Sequence, residues 1–456
     1  MALLEWIAAH KPRVHVSALI DPVGAHSSTD AAAYDDSDRT INALDAIAAD
    51  QELVTLQDDV CLNGSAWLHH LTSSSSTTTG IPEDQVTALQ KEIQEMQLSP
   101  TVLLVMALLY EHGLGEKSRF AGYIAQLPKQ IPLPMTWDAK ARRALKHTAA
   151  APSVDQELVA NMFTSFAVPL ATKFPSIWPE NVAKDPAHFQ WAYTVVSSRA
   201  FTIADATEPT LLPVIDMANH AHTNPCAKIV KTDAGAFQLV ALRQIEKGEA
   251  VTISYGELSN AEFLCRYGFV LPESVPTDCI LVQSTELLQT YTAFMNDDVD
   301  NTNSDKSDDD DGDDNDADED NNERSGKQPA KKRRKLFAAA TPTKPDDALF
   351  FLLHGDQSKE FGLSDALLSF VFANDLPADA LYDVLAVLLR KRDKTYSDAL
   401  QTSPSADAAP QTKLVQLLTR HERDVCRRIL IGILSLEEGS SDEELPSDDD
   451  DEEEEE

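Results

Sequence analysis

Residues 215–224 read IDMANHAHTN, and they continue the apolar run Leu211-Leu212-Pro213-Val214-Ile215 with no glycine between. Strand-like apolar runs end in turns, and turns favour Asn, Gly, Pro and Asp. Two amides and two imidazoles here call for another reason. By residue type His220, His222 and Cys226 are zinc ligands. No second ligand cluster stands elsewhere and His-x-His recurs by chance, so no metal is expected. The bland alternative is a polar turn after a strand. Thirty residues on, ISYGELSNAEFLCRYGF (253–269) places Tyr255 and Tyr267 twelve residues apart around SNAEFL.

The surrounding chain narrows the choice. It has 456 residues, 43% of them hydrophobic, which is enough for two or three domains with a real core. The formal charge is −37. It is concentrated in 297–323, with fifteen Asp/Glu against one Lys, and in 437–456, with fourteen Asp/Glu and no Lys or Arg. Without these segments 46 acidic and 37 basic residues remain, so no clustered basic face for nucleic acid is expected. Five cysteines, an odd number without a C-x-x-C pair, indicate a reduced intracellular protein. The start, MALLEWIAAHKPRVH, lacks the features of a secretory signal. The longest apolar run, Val102–Tyr110, is too short to span a membrane and predicts a buried helix.

Periodicity divides the chain further. Residues 1–20 read as helical, 21–40 as loop and 51–62 as strand-bearing. Helical spacing runs through 83–112, with Val86, Leu89, Ile93 and Met96 on one face, and helices are expected at 138–150, 153–165 and 186–200. Strands are expected at 211–216, 226–231, 236–242 and 250–255. Strands flanking a helical block predict an α+β fold. Poly-Asp followed by KKRRK (331–335) gives a disordered composition from about 295 to 346, and 347–396 and 411–436 return to helical spacing.

Read together, LPVIDMANHAHTNP and ISYGELSNAEFLCRYGFVLP resemble the paired signature of SET-domain methyltransferases. The closer resemblance is to the branch holding the Rubisco large-subunit and ribosomal-protein lysine methyltransferases. SSRAF (197–201) and SRFAGYIAQLP (118–128) agree with that branch. The resemblance implies a SET-type β-fold with an inserted helical region and a C-terminal all-helical substrate-binding domain. The segments would be 1–80 (first SET strands), 81–205 (inserted helices), 206–285 (C-terminal SET core), 286–346 (linker), 347–436 (helical domain) and 437–456 (acidic tail).

The same resemblance implies an enzyme that moves a methyl group from S-adenosyl-L-methionine (AdoMet) to a lysine of a protein substrate. Tyr255 and Tyr267 would line the lysine channel as catalytic residues. Asn219 and His220 would meet the cofactor through backbone and amide, Arg199 would pair with its carboxylate, and Phe269 would stack on adenine. The family's Gly-x-Gly loop aligns with Asp38-Arg39-Thr40, where no glycine stands. An inactive SET-like scaffold and a protein-histidine methyltransferase are the competing functions, and retention of Tyr267 favours lysine. KKRRK suggests nuclear import, so a nuclear or cytoplasmic location is expected. The acidic segments suit a basic partner such as a ribosomal protein or histone, and neither nucleic acid nor a membrane is expected.

Overall fold

The computed structural model describes residues 2–25, 39–73, 81–154, 156–178, 184–203, 208–301, 349–353, 365–401 and 408–439. The chain forms two compact units. The first comprises Met1–Lys146, Ala150–Pro272 and Pro404–Val415, and the second His147–Ala149, Glu273–Ser403 and Gln416–Glu456. Asp38, the KKRRK stretch, most of the acidic linker and the acidic tail beyond 439 lie outside the described residues.

In the first unit α1 (Ala2–Ala9) stops early, so the helix expected over 1–20 is corrected. Pro12 cannot donate to a helical ladder, and Val14–Val16 instead forms strand β1. β2 (Ile20–Ala25) and β3 (Arg39–Ala43) then pair antiparallel around a register shift between Asp21 and Gly24, within residues whose composition reads as loop. β4 (Glu52–Leu56) completes the N-terminal strands.

The inserted helices begin with α2 (Gly64–Ser73), α3 (Glu83–Glu95) and α4 (Pro100–Leu114). The single periodic region expected over 83–112 is two helices, because Ser99 caps a new one and Pro100 occupies its first turn. Every residue from Val102 to Glu111 is buried, so α4 is the axis of this layer. Gly64 permits the approach of α2, since a Cβ there would lie 2.6 Å from Leu103 Cγ. α5 (Ala121–Ile124), α6 (Ala139–Ala144), α7 (Gln156–Met162), α8 (Val168–Lys173) and α9 (Pro186–Arg199) follow. α6 and α7 are shorter than the helices expected at 138–150 and 153–165.

Strands then return. β5 (Ala200–Phe201) pairs with β6 (Thr210–Leu211). The strand expected over 211–216 ends at Leu211 because Pro213 has no N–H and Val214 has φ 73°, after which Ile215–Met217 forms a 3₁₀ turn. β7 (Asn219–His220) follows, then β8 (Ala227–Lys231), β9 (Phe237–Ala241) and β10 (Thr252–Ile253). Four strands form one antiparallel sheet in the order β1-β4-β9-β8, and β7 and β10 pair parallel beside it. α10 (Asn260–Tyr267) closes the unit.

The second unit holds β11 (Cys279–Gln283), α11 (Ser284–Asn301), β12 (Leu349–Leu353), α12 (Asp365–Ala373) and α13 (Leu381–Leu400), with most of α14 (Pro410–Gly439). The linker expected from 286 therefore begins as helix, because buried Leu287 and Tyr291 give α11 an apolar face. The all-helical domain expected from 347 is corrected: its helices are joined by one antiparallel strand pair, β11 with β12, because Leu349–Leu353 pairs with Cys279–Gln283. A buried polar cluster sits in its core. Glu422 Oε1 accepts from Ala149 N at 2.8 Å, and the Tyr396 hydroxyl lies 2.8 Å from Glu422 Oε2 and 2.9 Å from the His147 carbonyl. Burial pushes the Glu422 carboxyl up to about 8. Among the described residues no helix is long and apolar enough to cross a membrane.

Candidate active site

The segment 214–220 is the centre of the site. Val214 is β-branched and fully buried with a positive φ, a conformation that costs such a residue dearly and that surrounding packing must hold. The bend it makes sends Asp216 into the interior and lays Asn219–His220 alongside β10, with Thr252 opposite Asn219 and Ile253 opposite His220. Ala221 N donates to the Ile253 carbonyl at 3.0 Å, which extends this short ladder.

Tyr255 leaves β10 tied twice to the same segment. Its backbone N–H donates to His220 Nδ1 at 3.1 Å, and its hydroxyl donates to the Ala218 carbonyl at 2.9 Å. The Tyr255 ring lies 5.1 Å from that of His220 and 4.6 Å from that of Tyr267.

α10 delivers the other aromatic residues. Ser259 and Glu262 form a reciprocal capping box at its start. Gly268 ends it in the left-handed conformation, φ 82°, and its N–H reaches the carbonyls of Phe263 and Leu264. That reversal stacks Phe269 on Phe263 at 5.2 Å. Phe263 in turn packs 4.6 Å from the His220 ring. The structure thus brings His220, Tyr255, Tyr267 and Phe269 into one half-buried aromatic cluster, with Asn219 at its edge. Burial raises the Tyr267 hydroxyl above the ordinary tyrosine value. Burial first, and His222 second, lower His220 to about 4, so its imidazole is neutral. Its Nε2 is buried without a hydrogen-bond partner among the described residues.

Arg199, the last residue of α9, reaches this segment at Asp216. Its Nη1 donates to the Asp216 carbonyl at 2.8 Å and stands 3.9 Å from the carboxylate. Asp216 Oδ2 also accepts from the Tyr123 hydroxyl at 2.7 Å, while its Oδ1 is buried without a partner among the described residues. Burial pushes the Asp216 carboxyl up to about 6, against Arg199 and Tyr123, which draw it down. Asp216, Tyr123 and Phe263 were not singled out from the sequence. Asp216 had a usable signal: an acid inside an apolar run must be paired if it is buried.

Several groups here suit a zwitterionic, aromatic-bearing cofactor. The Arg199 side chain remains 17% exposed with donors beyond the one used on Asp216. No hydrogen bond engages the Asn219 side chain among the described residues. Thr40 stands where the resemblance places a glycine. It is 1% exposed, its hydroxyl lies 3.5 Å from the Ile41 carbonyl, and its strand β3 packs on the Ile215–Met217 turn. The His220 and His222 rings are 6.1 Å apart, and Cys226 is buried and accepts from Thr252 N. No group of three or more metal-ligating side chains occurs among the described residues.

Comparison with known proteins agrees with this architecture. The SET domain family profile matches residues 39–256. N-lysine methyltransferase setd6 of Salmo salar is 29% identical over 184 residues, 38% of this chain and 40% of the relative. The human N-lysine methyltransferase SETD6 is 26% identical over 223 residues, 46% of this chain and 45% of the relative. The ribosomal lysine N-methyltransferase set10 of Schizosaccharomyces pombe is 28% identical over 191 residues, 41% of this chain and 34% of the relative. The matched part is thus under half the length of each of these relatives. In three dimensions the chain is similar to the SET domain of LSMT bound to lysine and AdoHcy, with TM-score 0.59 at 17% identity, covering 97% of this chain and 92% of that one. Rubisco LSMT bound to AdoMet gives 0.58 at 16%, covering 97% and 93%. The fold is therefore the mixed α+β SET fold followed by a long helical region.

Proposed function

We propose, on the premise that residues 39–256 are a SET domain, that the chain transfers a methyl group from AdoMet to a lysine side chain of a protein. The observation that carries the reading is the pair of phenols. Tyr255 is fixed at backbone and hydroxyl to the 218–220 segment, and Tyr267 lies 4.6 Å away ring to ring. Arg199, Asn219, His220 and Phe269 would hold AdoMet by its carboxylate, amino-acid moiety and adenine. When bound, AdoMet supplies an electrophilic methyl on a sulfonium. The names of the relatives support this reading, since several are lysine methyltransferases.

The remaining work belongs to the chain's own residues. A lysine amine must arrive neutral, yet its ordinary pKa is about 10.4. The half-buried aromatic cluster lowers that value by desolvation. Neither phenol brings a carboxylate that would raise it again. The Tyr255 hydroxyl donates a hydrogen bond to the Ala218 carbonyl, so its oxygen lone pairs can accept an amine N–H and orient it. Tyr267 makes no hydroxyl hydrogen bond among the described residues, and burial keeps it protonated. Positioning of this kind supplies a large share of the acceleration in a group transfer.

The protein substrate we infer is basic. The acidic runs at 297–323 and 437–456 attract positive partners, and the attraction weakens with salt. The basic run 331–335 supports a nuclear share. The test is transfer of labelled methyl from AdoMet to whole-cell protein by wild type, Tyr255→Phe and Tyr267→Phe. The reading expects labelled protein with wild type and a much weaker signal with each variant. Equal signals from all three would refute it.

A further inference from the structure

A backbone-only role for His220 leaves its imidazole unexplained. Two observations fix what the ring does. Tyr255 N donates to Nδ1 at 3.1 Å, so Nδ1 is an acceptor and the proton of a neutral ring sits on Nε2. Burial lowers the ring to about 4 against the pull of the Ile253 backbone, so near neutral pH it is uncharged and has one ring nitrogen able to accept. The donor also matters. Tyr255 N–H is the next donor beyond the two-residue β7–β10 ladder, at the point where regular strand structure stops. The imidazole therefore takes over where the sheet ends, and the phenol follows directly from that point. The ring is further seated by Phe263, 4.6 Å away, and by Phe269, 6.2 Å away, so the acceptor does not swing.

We propose that the His220 imidazole is a positioning group for Tyr255: by accepting its backbone N–H it sets where the phenol stands, and so acts on turnover rather than on cofactor affinity. The inference rests on the methyltransferase reading for its kinetic consequence, but its structural content stands apart from it. Removal of the acceptor takes this hydrogen bond away from the Tyr255 N–H. A misplacement of about 1 Å at such a site costs on the order of 100-fold in rate.

The experiment compares His220→Asn with His220→Leu. Both lose the ring and its packing. Only Asn keeps an acceptor, Oδ1, at the branch point where Nδ1 stands. Three quantities are read in the full-length protein: kcat for methyl transfer, Kd for AdoHcy by calorimetry, and hydrogen exchange of the Tyr255 amide by NMR. The expected result is a kcat below wild type in both variants and about 10–100-fold lower for Leu than for Asn. AdoHcy affinity is the same in Asn and Leu within about threefold, since both lose the same ring and keep the same backbone. The Tyr255 amide exchanges measurably faster in Leu than in wild type or Asn. Equal loss of turnover in the two variants, or a loss confined to cofactor affinity, overturns the proposal. Should Leu fail to fold, Asn alone decides, because a folded Asn variant with an unprotected Tyr255 amide overturns it too. An inactive wild type whose exchange pattern follows the acceptor would sink the methyltransferase reading and leave the positioning role intact.

Discussion

Glu422→Gln should raise the stability of the second unit at alkaline pH and leave it little changed in acid. The Tyr396 hydroxyl has one proton and lies within hydrogen-bond distance of two acceptors, Glu422 Oε2 and the His147 carbonyl. Both contacts are satisfied at once only if Glu422 is protonated and donates to Tyr396, which then donates to His147. Glutamine reproduces this pattern: its Nε2 donates to Tyr396 and its Oε1 accepts from Ala149 N. The carboxyl titrates at about 8 in the fold, raised by burial against the pull of Tyr396, Ala149 N and Arg392, while Asp278 adds to the rise. In the unfolded chain it titrates near 4.5. Between these values the folded state holds a proton that the unfolded state has released, so stability falls as pH rises. Integration from pH 5.5 to 8.5 gives about 3 kcal/mol as a ceiling, or roughly 6–12 °C of melting temperature for a unit of this size. Thermal unfolding of wild type and variant at those two pH values, with salt fixed, measures the difference directly. A gap between the two proteins that does not widen with pH, or a variant less stable at both, refutes the protonated carboxyl.

The capping box and Arg199 give two more tests. Ser259→Ala removes the cap of α10 and should cost about 1 kcal/mol in denaturant unfolding of the first unit, with some loss of turnover because α10 carries Tyr267; an unchanged midpoint would show that the cap holds nothing. Arg199→Ala should weaken AdoHcy binding by about tenfold or more in calorimetry and leave methylthioadenosine, which lacks the amino-acid moiety, bound as before; equal losses for both ligands would remove Arg199 from the carboxylate site.

The aromatic half of this site is legible in the sequence because its residues are contiguous: Tyr255, Phe263, Tyr267 and Phe269 fall within fifteen residues, and one cap and one glycine dictate how they turn. Arg199 and Asp216 are harder. Their relation depends on the long inserted region, which returns the end of α9 to the 214–220 bend, and on Tyr123 in a four-residue helix. Periodicity cannot reveal strands as short as β7 and β10, since two residues make no alternation. Nor does it reveal β2, whose Pro22 and Gly24 look like punctuation. Helices α3 and α9 are readable because each buries a face long enough to repeat, and α4 because its apolar run is continuous. The helix that crosses residue 286 is hidden for the opposite reason: the acidic end of α11 masks the apolar face of its first turns.

The hydroxyl of Tyr255 has already given its hydrogen to a main-chain oxygen. What it turns toward any visitor is therefore electron-rich and nothing else. An ammonium guest would be held there more tightly than a neutral amine, because a charge-assisted hydrogen bond is the stronger, so this oxygen favours the charged form. Preference for a neutral guest must therefore come from the dryness of the surrounding rings.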